Sequence, residues 1–254
     1  MSYNFIKVNN ADGLISITLN KPPLNVLDIP MLEELADAFA WTKQEEGKVI
    51  LLNAEGKAFS AGVDVADHTP DKVNKMIEVL DRLFFNMYET DKPIVGAVNG
   101  SALGGAYELV LMCDMVVASE KAKFGQPEIV VGVFPPLAAL VLPRLTSMYN
   151  AMEVVLGGEI FDAAKAEKLG LVNTVLPVDS FEEGVQQFVQ KFMKLSPVVL
   201  AYTKKAVKAG LNKGFFDGLK AIDDIYLNGL MTTADAKEGL SAFMAKRQPV
   251  WQGK

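Results

Sequence analysis

The chain has 254 residues, of which 50% are hydrophobic, and its formal net charge is −6. This acidic composition argues against a nucleic-acid or anionic-membrane partner. The single cysteine, Cys113, excludes an internal disulfide and a cysteine-rich zinc site, and the single histidine, His68, has no nucleophile motif beside it that would indicate a Ser–His–Asp triad. No apolar run approaches the ~20 residues of a membrane span, and the first residues lack a signal-peptide core, so we expect a cytoplasmic protein.

Short apolar or alternating runs predict strands along the first two thirds of the chain. A hairpin is predicted near the N-terminus, where two alternating runs flank Asp12-Gly13. The predicted strands are residues 5–8, 14–19, 49–52, 93–98, 115–118 and 171–176.

Apolar residues at helical spacing predict helices between these strands, and Gly47 is predicted to end the first of them. Helix starts are expected at Asp28 with Pro30, Thr69 with Pro70, Gly104-Gly105, and Asp162. From Ser180 onward the pattern is helical over about 180–194, 197–211, 214–230 and 233–245.

This alternation of strands and helices predicts an α/β fold. Ser196-Pro197 is a candidate boundary, which divides the chain into a core of residues 1–195 and a helical region of residues 196–254. A helical region of that size buries little by itself, so we expect it to dock on the core or on another subunit.

The stretch from Ala97 to Cys113 places one acidic residue where burial is expected. Glu108 is followed directly by Leu109 and Val110, and an ionised carboxylate is costly to bury unless it is paired or protonated. Gly104 and Gly105 can open a helix whose backbone N–H groups a ligand can approach. The stretch predicts either an oxyanion-binding corner with a tuned carboxylate or a structural ion pair with a distant arginine.

A second acidic residue, Glu128, follows Pro127 and precedes an apolar run. Taken alone, it is interpreted most simply as a turn or helix-start residue that faces water.

Three segments together resemble the enoyl-CoA hydratase/isomerase (crotonase) family. They are AFSAGVD at residues 58–64, NGSALGGAYE at residues 99–108 and FGQPE at residues 124–128, and their order and spacing extend the resemblance over essentially the whole chain. It implies a crotonase-like spiral of ββα units with a C-terminal helical region that forms trimers, which can pair into hexamers.

The resemblance also implies an acyl-CoA substrate whose carbonyl is held by two backbone N–H groups. By motif these groups belong to Val63 and Gly105, and the two carboxylates that hydratases use match Glu108 and Glu128. The other substrate- or CoA-binding positions that it implies are Ser60, Ala61, Gly62, Asp64, Val65, Gly104, Pro127 and Pro135. CoA is part of the substrate, so we expect no separate cofactor, and Asp64 and Asp67 alone do not make a metal site.

The residue types suit the chemistry that the resemblance implies. Two amide donors aimed at a thioester oxygen stabilise enolate charge, and water addition needs a base for the water and an acid for the carbon. The presence of both glutamates favours a hydratase over an isomerase. Which glutamate is the base and which the acid stays open.

One segment departs from the pattern of many relatives. FPPLAA at residues 134–139 stands where they carry a glycine-rich stretch, and proline, leucine and alanine stiffen the backbone and fill space. Together with residues 22–28 and 59–68, this resembles the branch of the family that converts cyclohexa-1,5-diene-1-carbonyl-CoA to 6-hydroxycyclohex-1-ene-1-carbonyl-CoA in anaerobic benzoyl-CoA degradation.

Other activities stay open at this point. They are a short-chain 2-enoyl-CoA hydratase, an enoyl-CoA isomerase, a thioester hydrolase, and a non-catalytic relative that binds CoA or RNA. Lys246 and Arg247 are either contacts to CoA phosphates from a neighbouring subunit or solvent-exposed charges.

Overall fold

A computed structural model describes residues 3–254 of the chain, and two β-sheets form its framework. The strands are β1 (Ile6–Ala11), β2 (Leu14–Leu19), β3 (Val49–Ala54), β4 (Ile94–Val98), β5 (Ser101–Leu103), β6 (Met115–Ser119), β7 (Lys123–Gly125), β8 (Ile160–Asp162) and β9 (Thr174–Leu176). The larger sheet has the order β1-β2-β3-β4-β6-β9, and the smaller one has the order β5-β7-β8. In the larger sheet β1 and β2 form the predicted antiparallel hairpin, and the other neighbouring strands pair in parallel.

Helices cover both faces of the larger sheet and form the C-terminal region. They are α1 (Ile29–Thr42), α2 (Val73–Glu89), α3 (Gly105–Leu111), α4 (Pro136–Leu145), α5 (Met148–Gly157), α6 (Ala163–Lys168), α7 (Phe181–Met193), α8 (Pro197–Gly210), α9 (Phe215–Asp224) and α10 (Ala234–Met244). The α/β fold class expected from the alternation of elements is confirmed.

The central strands are buried on both faces, as expected for parallel strands. In β3, Ile50 and Leu52 belong to the main core, together with residues of α1 and α2. Val49 and Leu51 point to the other face, where they belong to a second cluster with Phe181 and other residues of α7. The sheet is therefore held between two apolar layers, and the loops at the ends of its strands are free to form a site.

The predicted start of the second helix at Thr69 is wrong. Helix α2 begins at Val73, and residues Val65–His68 form a separate 3₁₀ turn. The Asp67 carboxylate accepts hydrogen bonds from Ile29 N at 2.9 Å and from Lys72 Nζ at 3.1 Å. Because these bonds fix Asp67 between α1 and α2, the segment before Val73 is held outside the helix.

Two other predicted boundaries also differ. Helix α1 ends at Thr42, well before the predicted end at Gly47. The loop that follows is bound to β1, because Asn10 Nδ2 donates to Glu46 O at 2.8 Å. Strand β9 is shorter than residues 171–176, because Leu171 N donates to Ala166 O and closes the end of α6.

The C-terminal helices begin close to their predicted positions, with a single π turn at Ile225–Gly229 and a 3₁₀ turn at Leu230–Thr232 interrupting the third of them. Large apolar side chains remain exposed there, including Phe215, Phe216, Phe243 and Met244. The helices of residues 3–254 include none that is both long enough and apolar enough to cross a membrane.

Candidate active site

Glu108 lies in α3 and is almost fully buried, with 3% of its surface exposed. Its Oε1 accepts hydrogen bonds from Leu137 N at 2.8 Å and from Ala138 N at 2.9 Å. The alternative of an ion pair with a distant arginine is therefore wrong for this residue. Two backbone donors stabilise the carboxylate instead.

The sequence explains why these two donors are free. Pro135 and Pro136 begin α4, and proline is favoured in the first turn because its missing N–H has no helical acceptor there. The N–H groups of the next two residues, Leu137 and Ala138, also lack a partner within the helix. The positive end of the helix thus presents two donors to Glu108.

Glu128 lies in a 3₁₀ turn, Pro127–Val131, and is half-buried. Its carboxylate contacts Gly104, the residue before α3, since a Cβ atom placed on Gly104 would lie 2.9 Å from Glu128 Oε1. Gly104 also has a φ of +55°, in the region that favours glycine. Space and backbone conformation both require glycine where the second carboxylate approaches.

Gln126 is fully buried next to Glu128. With its amide nitrogen directed at the carboxylate, Gln126 donates to Glu128 Oε1 at 3.0 Å, to Oε2 at 3.1 Å and to Gly104 O at 3.2 Å. The sequence predicts no role for this residue. A glutamine between a strand and a Pro-Glu pair gives no signal that its amide turns inward.

The two predicted oxyanion donors lie side by side. A Cβ atom on Gly62 would lie 2.8 Å from Leu103 O and 3.9 Å from Gly105 N, and a Cβ atom on Gly105 would lie 2.5 Å from Val63 Cγ2. The backbone bonds at this corner use Leu27 N, Asp64 N and Gly104 N as donors. Within residues 3–254, the N–H groups of Val63 and Gly105 donate to no backbone carbonyl at this corner, which leaves them available to a ligand oxygen.

The other predicted binding residues lie around this corner. Ser60 is buried, and its Oγ accepts from Gly62 N at 3.1 Å. Ala61 is exposed, and Asp64 caps the following 3₁₀ turn by accepting from Ala66 N at 2.9 Å. Val65 is 71% exposed, so it contributes a surface rather than an enclosed wall.

Burial perturbs both carboxylates. It raises the pKa of Glu108, an effect opposed by the N–H groups of Ala138 and Leu137. Burial also raises the pKa of Glu128 to about 7, with a smaller contribution in the same direction from the charge of Glu108. A pair of acids whose surroundings differ in this way is typical of a site that both accepts and donates protons near neutral pH.

A cavity of about 510 Å³ opens beside Glu108. Its walls are mostly apolar and come from α2, α4 and the residues after α8, with Phe84, Phe85, Leu137 and Leu140 among them. Pro135 is buried just before α4 and is not among the residues that line this cavity, whereas Pro136 and Leu137 are, so its contact with the substrate stays a prediction. An apolar cavity with a carboxylate in its wall suits an organic acyl group.

In residues 3–254 no cluster of three or more histidine, cysteine, aspartate or glutamate side chains is arranged to hold a metal ion.

The family model described as enoyl-CoA hydratase/isomerase matches residues 9–254. The chain therefore belongs to the enoyl-CoA hydratase/isomerase family, and it is an enzyme.

Individual relatives agree with this assignment. A probable enoyl-CoA hydratase of Rhizobium meliloti is 36% identical over 252 residues and covers 98% of each chain. Cyclohexa-1,5-dienecarbonyl-CoA hydratase of Thauera aromatica is 32% identical over 245 residues, with 96% of this chain and 95% of the relative covered. The crystal structure of an enoyl-CoA hydratase from Bacillus anthracis superimposes with a TM-score of 0.94 at 30% identity, over 99% of this chain and all of the other, and confirms the crotonase-like fold.

Proposed function

We propose that the chain is a hydratase that adds water to a conjugated acyl-CoA thioester. The observation that carries this proposal is the convergence of two carboxylates on one corner. A Cβ atom placed on Gly105 would lie 3.8 Å from Glu108 Oε2, and one placed on the adjacent Gly104 would lie 2.9 Å from Glu128 Oε1. The free N–H groups of Val63 and Gly105 lie at the same corner.

In this mechanism the thioester oxygen accepts hydrogen bonds from Val63 N and Gly105 N. Water then adds to the carbon β to the carbonyl, and the electron pair moves toward the oxygen, where the two donors stabilise the enolate. Removing one such donor costs about 3 kcal/mol of transition-state stabilisation in comparable sites. CoA is part of the substrate, and no further cofactor takes part in these steps.

The surroundings of the two glutamates favour one division of roles. Glu108 accepts two N–H bonds, which favour its ionised form against the burial that raises its pKa, so we assign it as the base that takes a proton from water. Glu128 has a pKa of about 7 and is substantially protonated at neutral pH, so we assign it as the acid that protonates carbon.

For the acyl group we propose cyclohexa-1,5-diene-1-carbonyl-CoA. Its support is the first turn of α4, where Pro136 and Leu137 line the cavity beside Glu108, together with the similarity to the Thauera aromatica enzyme. Hydroxide adds to the β carbon and the proton enters the far end of the dienolate, so that the product, 6-hydroxycyclohex-1-ene-1-carbonyl-CoA, keeps one conjugated double bond.

A short-chain 2-enoyl-CoA hydratase is the second candidate. It is favoured by the higher identity, 36%, to the Rhizobium meliloti relative. The same residues would serve this reaction, with the proton delivered to the carbon α to the carbonyl.

The deciding experiment supplies the purified protein with the cyclic dienoyl-CoA and, separately, with crotonyl-CoA. Product mass and absorbance are followed, and a thiol reagent detects any free CoA. We expect a gain of one water on the cyclic diene, with little reaction on crotonyl-CoA. Preference for crotonyl-CoA would select the second candidate, release of free CoA would indicate a hydrolase, and no reaction on either would contradict the two-glutamate mechanism.

We also propose that the chain forms a homo-oligomer, a trimer or a dimer of trimers. Its support is the number of large apolar side chains left exposed on the C-terminal helices, with Phe243 85% exposed and Phe215 and Phe216 each 77% exposed. Light scattering coupled to gel filtration measures the mass directly, and a monomer would contradict the proposal.

A further inference from the structure

A second cavity, of about 270 Å³, lies between the C-terminal end of α2 and helix α8. Neither Glu108 nor Glu128 lines it. Its polar lining comes from three lysines of α8, namely Lys204, Lys205 and Lys208, and from Thr90 and Asp91 just after α2. Lysines outnumber acidic residues in this lining by three to one.

One of the lysines is fully paired within the protein. The Lys204 side chain is buried, and its Nζ donates to Asp114 Oδ2 at 2.6 Å and to Lys92 O at 2.8 Å. Asp114 therefore compensates the charge of Lys204. Asp114 Oδ2 also accepts a hydrogen bond from Ile94 N, which is an uncharged group.

Lys208 differs from Lys204 because no carboxylate of residues 3–254 lies within ion-pair distance of it. Its Nζ donates to Tyr88 O at 2.6 Å and lies 4.5 Å from the centroid of the Tyr88 ring. Burial and the positive charge of Lys204 together lower its pKa to about 8, against the opposing influence of Asp114 and Asp91. A partly buried ammonium group in this position is a cation that lacks its counterion.

Thr90 provides a second unmet polar group beside the same cavity. The residue is 2% exposed, and its hydroxyl has no hydrogen-bond partner in the described part of the chain. Buried hydroxyl groups are normally paired, so the Thr90 hydroxyl leaves one hydrogen bond in the wall of this cavity unmade.

We propose that this cavity binds the phosphate group of inorganic phosphate or of a small phosphate monoester, with Lys208 as its principal cationic contact and Lys205 at its edge. A phosphate oxygen would supply the counterion that Lys208 lacks, and its remaining oxygens would accept from a second ammonium group. The site is separate from the catalytic corner, although Tyr88 lines both cavities.

The size and the walls of the cavity favour the monoester. Its volume is several times the ~30 Å³ that one water molecule occupies in the liquid, which leaves room beyond a single phosphate group. The rest of the wall is apolar and includes Ala209, Ile225 and the Tyr88 ring. A phosphate monoester with a small apolar group would fill both the lysine-lined part and the apolar part of the cavity.

The test compares inorganic phosphate with phenyl phosphate, each titrated against the full-length protein at constant ionic strength set with chloride. Thermal unfolding is recorded for the wild type, for Lys208→Met and for Lys121→Met, a control at an exposed lysine that does not line the cavity. A ligand that binds only the folded state raises the folded-to-unfolded ratio about 100-fold at 100 times its Kd. We expect saturable stabilisation of the wild type and of Lys121→Met, tighter with phenyl phosphate, and its loss in Lys208→Met.

A second measurement does not depend on a variant. The wild type is treated at pH 8 with an amine-acylating reagent, and the labelling of each lysine is followed by peptide mass spectrometry. Bound phosphate should slow labelling of Lys208 about tenfold at ten times its Kd, while labelling of Lys121 stays unchanged. Unprotected labelling of Lys208, or stabilisation by phosphate no greater than that by chloride, would overturn the proposal.

Discussion

Glu108 and Glu128 face the same glycine corner, but the protein holds them in different ways. Glu108 is buried in a regular helix and is bonded to the first turn of a second helix, α4. Glu128 lies half-buried in a short 3₁₀ turn, where a side-chain amide is its neighbour. Two chemically identical acids therefore acquire separate proton affinities from their surroundings: burial raises the pKa of both, and two backbone donors oppose this effect at Glu108.

The largest expected effect comes from neutralising either acid. Glu108→Gln and Glu128→Gln should each lower kcat about 10²–10⁴-fold, because each removes one proton-transfer group while keeping the shape of the side chain. The double variant should be little worse than the poorer single variant, since the two residues act as a unit. Steady-state hydration rates test this, with the exposed Glu182→Gln as a control. Wild-type rates in either single variant would remove that glutamate from the mechanism.

The contact between Gly104 and Glu128 can be changed without a substitution of either acid. Gly104→Ala places a methyl group against Glu128 Oε1, and a displacement of this kind can cost about 10² in rate. Gly170→Ala is the matched control, because Gly170 also has a positive φ but would bring its Cβ within 4 Å of nothing. Urea unfolding should show a loss of about 1–3 kcal/mol in Gly170→Ala from backbone strain and a larger loss in Gly104→Ala, whose methyl group also meets the carboxylate, with the loss of kcat confined to Gly104→Ala. Equal kcat losses in the two variants would contradict the contact.

A smaller effect is expected on the pH dependence of kcat. Gln126→Met removes the amide that donates to the Glu128 carboxylate, so the pKa of Glu128 should rise. Because Glu128 must be protonated to act as the acid, the alkaline limb of the kcat profile should move up by about one pH unit. Gln187→Met, which removes an exposed amide bonded to Glu183, should leave the profile unchanged. An alkaline limb that stays in place would show that Gln126 does not act on this proton.

The smallest effect is on stability. The folded-state pKa of Glu128, about 7, lies above the ~4.3 expected when unfolded, so the folded protein binds more protons in between. The stability that this extra proton binding adds is fully present below the unfolded-state pKa of ~4.3 and is lost as pH rises through the folded-state pKa of about 7. Glu128→Gln should therefore unfold at a higher temperature than the wild type at pH 8, with the difference shrinking toward pH 5. Identical melting temperatures at both pH values would contradict the raised pKa.

Local pattern was enough to predict much of the architecture. The hairpin around Asp12-Gly13, the cap at Asp28 and the four C-terminal helices depend on nearby residues, and the structure contains all of them. The late start of α2 was not predictable, because it depends on the bonds of Asp67 to Ile29 and Lys72. Contacts between elements leave no periodic signal in the sequence.

The site divides in the same way. Glu108 stood out as an acid within an apolar run, and Gly104 stood out as a glycine that opens a helix. The partners of Glu108 lie 29 and 30 residues further along the chain, and they are backbone groups that no residue type announces. The inward amide of Gln126 and the position of Pro136 and Leu137 in the cavity wall likewise depend on how distant segments meet.

The first turn of α4 has one further consequence, for how such an enzyme can change over evolution. It lines the cavity beside Glu108 with side chains, but it holds Glu108 with main-chain N–H groups, which every residue except proline supplies. Substrate preference can therefore drift by substitutions at position 137 while the anchoring of Glu108 is inherited unaltered.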